Sequence, residues 1–299
     1  MKIGESKMQN QHINSIAIVG AGTMGNGIAH VCAMSGFQVK LMDSSIEQLR
    51  IARQMIEKNL KRMAQKQRIN SSQVSSSLAR IQSYTNIGQA ILDADIIMEV
   101  VPEQISVKKA VWNDIEQEID PKRLKQMIFA TNTSSISISE LAQELTFPEN
   151  MIGMHFFNPV PVMTLVEIIL GEKTSEKTFK TVERLTTNLG KIPIRVHDFP
   201  GFVSNRILMP MINEAIYALY EGVAEKEAID QVMTLGMAHP MGPLRLADFI
   251  GLDVCLNILK VLHKGFQDDK YSPCPLLIKM VDGGNLGKKT GYGFYKYNI

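Results

Sequence analysis

Residues 15–43 read SIAIVGAGTMGNGIAHVCAMSGFQVKLMD, and no other stretch restricts the fold of this chain as tightly. Residues 15–19 form a short, apolar predicted strand. Gly20, Gly22 and Gly25 follow in GxGxxG spacing and open a predicted helix of small and apolar residues. A second predicted strand, FQVKLMD, ends on Asp43. Each glycine answers a physical need: a tight turn, close approach of the backbone to a ligand, and close packing of helix on strand. Amides at the helix N-terminus would face an anion. A bare GxGxxG occurs by chance in glycine loops. Set between strand and helix, 18 residues before an acid that ends the next strand, it reads as a dinucleotide-binding unit.

Asp43 also selects the dinucleotide. A carboxylate there accepts hydrogen bonds from the two hydroxyls of an adenosine ribose and repels a 2′-phosphate. The following SSIEQ holds no arginine to reverse that preference, so NAD is expected rather than NADP. The expected contacts are Gly20, Gly22, Thr23, Met24 and Gly25 on the turn, with Asp43 beyond it.

At 299 residues the chain has room for two domains more readily than one. Its formal charge is only +2, and no long basic block occurs outside residues 58–68, so nucleic acid is not an expected partner. No apolar run reaches membrane-spanning length. Residues 1–14 carry no signal-peptide core. Cys32, Cys255 and Cys274 are scattered, which disfavours a disulfide framework or a thiolate metal site. A reducing cytoplasm and a metal-free protein are the expectation.

Residues 46–70 show apolar positions three and four apart and a polar face that turns basic near its end. They are predicted as a long helix reaching out from the sheet. That face is either solvated surface or a seat, around Lys66, for an anionic group larger than the cofactor. The next predicted strand, in ADIIMEVVPE, closes on Glu99 to Glu103. Ligands bind beyond the carboxyl ends of such strands, so Glu103 and Lys108 are expected near a nicotinamide. MIFATN leads into Thr133, Ser134 and Ser135, whose hydroxyls suit either a helix cap or the entry to the cleft. In MIGMHFFNPVPVMTLVEIILG, His155 lies near the exit of one predicted strand and Glu167 within another. Side by side, they would make a histidine whose tautomer is fixed by a carboxylate, as a general base needs. After Gly201 strand signals mostly vanish and helical periodicity takes over, with HPMGPLRLADFIGLDVCLNILKVL read as a loop entering one long apolar helix.

Taken in order, VGAGTMGNGIAH, NTSSISI, HFFNPVPVMTLVEI, PGFVSNRIL, HPMGPLRLADFIGLD and LGKKTGYGFY resemble the short-chain L-3-hydroxyacyl-CoA dehydrogenase family over residues 14–297. The resemblance implies an α/β Rossmann-type NAD-binding domain with a protruding helical segment over 13–199. An all-α domain for substrate binding and dimerisation would occupy 200–299. It implies reversible oxidation of an L-3-hydroxyacyl-CoA thioester, with a four-carbon acyl chain expected. His155 would be the base, Glu167 its orienting partner, and Ser134 and Asn205 polar contacts to substrate. Asn132 and Asn158 would help hold the cofactor. Lys66, with Asn59 on the same helix, would meet the adenosine-phosphate end of coenzyme A; some members have serine where Asn59 stands. The segment EIDPKRLKQM is read as a surface insertion. Two other functions are compatible with parts of the pattern. A dehydrogenase of a small free hydroxy acid would have no use for the basic helix, and a non-catalytic NAD-binding protein would have none for His155 and Glu167.

Overall fold

The computed structural model describes residues 13–298, so the reading of the N-terminus falls almost wholly outside the described residues. The chain forms two compact units that divide between Asp198 and Phe199.

The first unit is built on one eight-stranded sheet. In chain order its elements are β1 (Ser15–Val19), α1 (Thr23–Met34), β2 (Gln38–Met42), α2 (Ile46–Gln65), α3 (Ser71–Ala79), β3 (Ile81–Tyr84), α4 (Ile87–Ile91) and β4 (Ile96–Glu99). Then come α5 (Ile105–Glu118), α6 (Pro121–Leu124), β5 (Ile128–Thr131), α7 (Ile138–Ala142), β6 (Met151–Phe156), β7 (Leu165–Leu170), α8 (Glu176–Asn188) and β8 (Ile192–His197). The spatial order is β3-β2-β1-β4-β5-β6-β7-β8, and every pairing is parallel except β6 with β7. The reversal between β1 and β4 makes the crevice in which such sheets take their ligands. Central strands β4 and β5 are buried along their whole length, as strands covered on both faces must be. Their Ile96, Ile97, Met98 and Phe129 are inaccessible to solvent, each contributing about 1.5–3 kcal/mol of burial. At the far edge, β8 leaves Ile192 and Ile194 exposed.

The segment 46–70 is not one helix. Its first part, α2, ends at Gln65, Gln67 takes a positive φ of 56°, and Asn70 starts α3 with a reciprocal capping box to Gln73. The result is a helical hairpin whose second arm returns the chain to β3. EIDPKRLKQM forms the short helix α6, and it is fastened rather than appended. Arg123 donates to the carbonyls of Leu92 and Ala94, and Leu124 is buried.

The second unit is helical: α9 (Ser204–Tyr220), α10 (Lys226–Gln231), a π-helical turn (Val232–Gly236), α11 (Pro243–Ile250), α12 (Leu252–Phe266) and α13 (Pro275–Asp282). The expected single long helix is broken, because Gly251 at φ 108° separates α11 from α12. Two buried aspartates tie the C-terminal segment to this unit. Asp248 accepts from the Phe294 and Tyr295 amides and the Tyr297 hydroxyl, and Asp230 from the Leu244 and Arg245 amides and the Tyr295 hydroxyl. All three cysteines are buried and unpaired in disulfides, and burial pushes the Cys32 and Cys255 thiols up to about 12. They are poor nucleophiles and poor metal ligands.

Candidate active site

The glycine turn separates its three tasks by what a methyl group would meet. Gly20 has φ 111°, and a Cβ on it would stand 2.6 Å from the Val100 carbonyl oxygen. A Cβ on Gly25 would collide with the Gly20 carbonyl. At Gly22 the same atom would meet nothing within 4 Å. Gly22 is also the N-cap of α1 and supplies no side-chain cap to its first turn, where Thr23, Met24 and Gly25 present their amides. Two glycines are needed by the fold; the third faces open space at a helix N-terminus, where a pyrophosphate fits. Asp43 completes the cradle. Its Oδ2 accepts from the Ala21 amide and its Oδ1 from the Ser45 amide, both at 2.9 Å, and Gln48 ties down the Ala21 carbonyl. The carboxylate is thus fixed against the turn, with lone pairs to spare for ribose hydroxyls.

On the other side of the crevice, His155 and Glu167 are directly opposed in the antiparallel register of β6 and β7. His155 Nδ1 lies 2.8 Å from Glu167 Oε2, with His155 8% exposed and Glu167 2%. A carboxylate at that distance accepts, so Nδ1 carries the proton. Phe157 packs on the imidazole with ring centroids 4.5 Å apart. The connection from β6 to β7 is held from below. Buried Lys191 donates to the carbonyls of Val160 and Met163, each at 2.6 Å, and burial lowers its pKa. Within this connection Asn158 is exposed. Asn132, beyond the end of β5, accepts from the Phe156 amide at 2.9 Å, so its two amide donors are what it offers a ligand.

Between these two clusters lies a third. Glu99 and Thr131 are register partners at the ends of β4 and β5. The buried Lys108 ammonium sits 2.7 Å from Glu99 and 3.3 Å from Glu103. Glu103 Oε1 in turn has the Thr133 hydroxyl at 2.6 Å, the Ser134 amide at 2.8 Å, and the Ser135 amide and both serine hydroxyls at 3.1–3.2 Å. One oxygen cannot accept all five at once, so the longer hydroxyl contacts are the ones that can turn to a ligand. Burial raises the Glu103 pKa; Lys108, the Thr133 hydroxyl and the Ser134 amide outweigh it and leave the carboxyl below its usual range. The helix-cap reading of residues 133–135 does not hold: Ser137 caps α7, accepting from the Glu140 amide. Lys108, 1% exposed, holds the two carboxylates and presents almost no surface of its own. Glu99 was missed as a site residue. Its only signal in the sequence is an acid inside an apolar run.

Asn205 lies in the first turn of α9 and is buried. Lys66 ends α2 and is exposed, with Asn59 seven residues earlier, two turns away on one face. Lys61 pairs with Glu57 at 2.6 Å, whereas among the described residues Lys66 forms no ion pair. No cluster of metal-ligating side chains and no helix long and apolar enough to cross a membrane occurs among the described residues.

Residues 15–199 match the NAD binding domain of 3-hydroxyacyl-CoA dehydrogenase, and residues 201–297 its C-terminal domain. The chain belongs to the 3-hydroxyacyl-CoA dehydrogenase family. It is 47% identical to a 3-hydroxybutyryl-CoA dehydrogenase of Bradyrhizobium diazoefficiens, covering 95% of this chain and 96% of that one. To the 3-hydroxybutyryl-CoA dehydrogenase of Clostridioides difficile it is 45% identical, covering 95% and 99%. The crystal structure of (S)-3-hydroxybutyryl-CoA dehydrogenase from Ralstonia eutropha superposes with a TM-score of 0.92 at 45% identity, over 96% of this chain and all of that one. The cofactor of this family member is NAD, and its glycine turn and Asp43 fit that group.

Proposed function

We propose that this chain catalyses the reversible, NAD-dependent oxidation of an L-3-hydroxyacyl-CoA to the 3-ketoacyl-CoA, with 3-hydroxybutyryl-CoA as preferred substrate. The observation that carries the reading is the buried His155–Glu167 pair, 2.8 Å apart at the carboxyl end of β6. With Nδ1 protonated and held by Glu167, Nε2 is the nitrogen through which the ring takes up the 3-hydroxyl proton. The imidazolium that forms is stabilised by the adjacent carboxylate. In the reducing direction the same nitrogen returns the proton to the 3-keto oxygen. When bound, NAD accepts the electron pair and hydrogen released from C3. Ser134 and Asn205 contribute hydrogen bonds to the reacting oxygens, and their value lies in being placed before charge develops. Asn132 and Asn158 hold the nicotinamide end, as does Glu103 through the serine turn.

Coenzyme A is assigned to the α2 face that carries Asn59 and Lys66. An exposed lysine with no carboxylate against it is a point charge for a phosphate. The four-carbon preference rests on the named relatives. The roles of the two units, residues 13–199 for NAD and 200–299 for substrate and dimer contacts, are part of the same proposal. For the homodimer, support comes from the second unit's surface. There an apolar groove of about 410 Å³ is lined by Met211, Ala218, Val223, Ile229, Val232 and Met233, and Leu235 of the same π-helical turn as Val232 is 84% exposed. Such a surface is expected to be covered in solution. Free, buried cysteines suit a reducing cytoplasm, and butyrate or fatty-acid metabolism is the matching context.

The deciding experiment measures kcat/KM for C4, C6, C8 and C10 3-ketoacyl-CoA with NADH, with free acetoacetate as control. A maximum at C4 is expected. Each further buried methylene would gain only about 0.8 kcal/mol, so a modest slope is compatible. A maximum at C8 or beyond overturns the short-chain preference. Equal rates on acetoacetate and its thioester overturn the coenzyme A assignment.

A further inference from the structure

We infer that Glu99 is a positioning residue for the reaction, acting on Ser134 through Lys108 and Glu103. The inference rests on the role given to Ser134 above. The chain of contacts is continuous: Glu99 Oε1 to Lys108 Nζ at 2.7 Å, Nζ to Glu103 Oε2 at 3.3 Å, Glu103 Oε1 to the Ser134 amide at 2.8 Å and hydroxyl at 3.1 Å. Glu99 is itself held at both oxygens, by the Thr131 hydroxyl at 2.6 Å and the Val101 amide at 2.7 Å, and is inaccessible to solvent. Its partner ammonium is 1% exposed, so no water can substitute for a lost contact without entering the core. The lysine is therefore shared between two carboxylates of unequal freedom. Glu99 is fixed in the strand end; Glu103 lies on the turn beyond it and is 35% exposed. While Glu99 neutralises Lys108, Glu103 keeps Oε1 on the serine turn. Without the Glu99 charge, Lys108 has Glu103 as its one carboxylate in contact and draws it inward, away from Ser134 and Ser135.

This link is separable from mere stabilisation by a cycle with Ser134. Glu99→Gln should lower kcat per NADH-binding site about tenfold while changing KM for acetoacetyl-CoA less than about twofold. In a Ser134→Ala background the same substitution should change kcat by less than about twofold, because the residue it positions is gone. Independently of turnover, hydrogen exchange at the Ser134 and Ser135 amides of the cofactor-free protein should quicken in Glu99→Gln, since both donate to Glu103. If Glu99→Gln does not fold, Glu99→Asp, which keeps a buried charge but withdraws it from the Lys108 ammonium, enters the same cycle. Equal losses in both Ser134 backgrounds, unchanged kcat, or unchanged amide exchange would each overturn the inference. Failure of the wild-type protein to reduce any 3-ketoacyl-CoA would instead refute the proposed function.

Discussion

Replacing Gly22 with Ala should disable cofactor binding in a protein that still folds. The position has φ −63° and ψ −166°, which alanine adopts without strain. Its methyl would touch no protein atom within 4 Å. Alanine loses less chain entropy than glycine on folding, which favours the folded state by about 0.4–1 kcal/mol. As an N-cap it is poorer than glycine by a similar amount, roughly 0.5–1 kcal/mol. These offset, so the stability of the variant should lie within about 1 kcal/mol of wild type. The open space that spares the fold is where the pyrophosphate must approach. A methyl forced into a well-packed contact costs about 1–3 kcal/mol, which corresponds to roughly 5- to 150-fold in affinity. Fluorescence titration with NADH should give a Kd at least about fivefold weaker, with a urea midpoint near that of wild type. Gly25→Ala is the contrasting control: its methyl meets the Gly20 carbonyl, so stability and binding should fall together. NADH binding within twofold of wild type in a folded Gly22→Ala protein would refute the argument that residue 22 is left bare for a ligand.

His155→Gln should cost about 10²–10⁴-fold in kcat with little change in NADH affinity. Glu167→Gln keeps the hydrogen bond but not its charge, a difference of about 1–2 kcal/mol, so steady-state kcat should fall roughly 5- to 30-fold; a near-normal kcat would remove Glu167 from the mechanism. Lys66→Met should raise KM for acetoacetyl-CoA several-fold through the loss of about 1 kcal/mol, and leave KM for acetoacetyl-pantetheine unchanged. An equal rise for both would place the phosphates elsewhere. Burial, and then the charge of Lys191, push the His30 ring from 6.5 down to about 4. A lowered folded value contributes stability above pH 6.5 that is lost as pH falls towards 4. Unfolding by urea should therefore become easier by about 2 kcal/mol between roughly pH 7.5 and 5. His30→Gln should flatten that slope, and a slope unchanged by the substitution would contradict it.

What the sequence disclosed follows the range of the interactions involved. The glycine turn is a local device, so spacing alone located the first strand, the first helix and Asp43. The pairing of His155 with Glu167 was accessible because both lie on strands separated by one short connection. Helix extents were less legible. The break at Gly251 depends on a single φ of 108°, and the break between α2 and α3 on a positive φ at Gln67 and a polar cap at Asn70 inside an otherwise periodic run. Least accessible were the contacts that span the sheet. Lys108 reads as a residue near the nicotinamide, and nothing in the spacing shows that the neighbouring strand supplies a carboxylate that draws it into the core. Thr131 meets Glu99 only because β4 and β5 are adjacent and in register, 32 residues apart in the chain. Lys191 holds the connection after His155 from a turn following α8, which no pattern of spacing announces.

The placement of buried charge gives the separate clusters a common logic. Elsewhere in the sheet the interior is apolar, and β4 and β5 run through Ile96, Ile97, Met98, Phe129 and Ala130 before their last residues turn polar. Glu99, Thr131, Thr133, His155 and Glu167 are buried at or just beyond strand ends on the side where the crevice opens, and Lys108 is buried against them. A buried ion pair is weak support for stability, because removing two charges from water costs about as much as their attraction returns. Breaking one is a different matter: it leaves a charge unsatisfied and costs about 3–5 kcal/mol. The consequence is rigidity more than net stability. Each side chain has one low-energy arrangement, and departures from it are expensive. A proton-transfer site benefits from that property, because a misplacement of about 1 Å can cost roughly 10²-fold in rate. On this view the Glu99–Lys108–Glu103 and His155–Glu167 clusters offset their desolvation with geometry, the first fixing a turn that carries hydroxyls and the second fixing a ring that carries a proton.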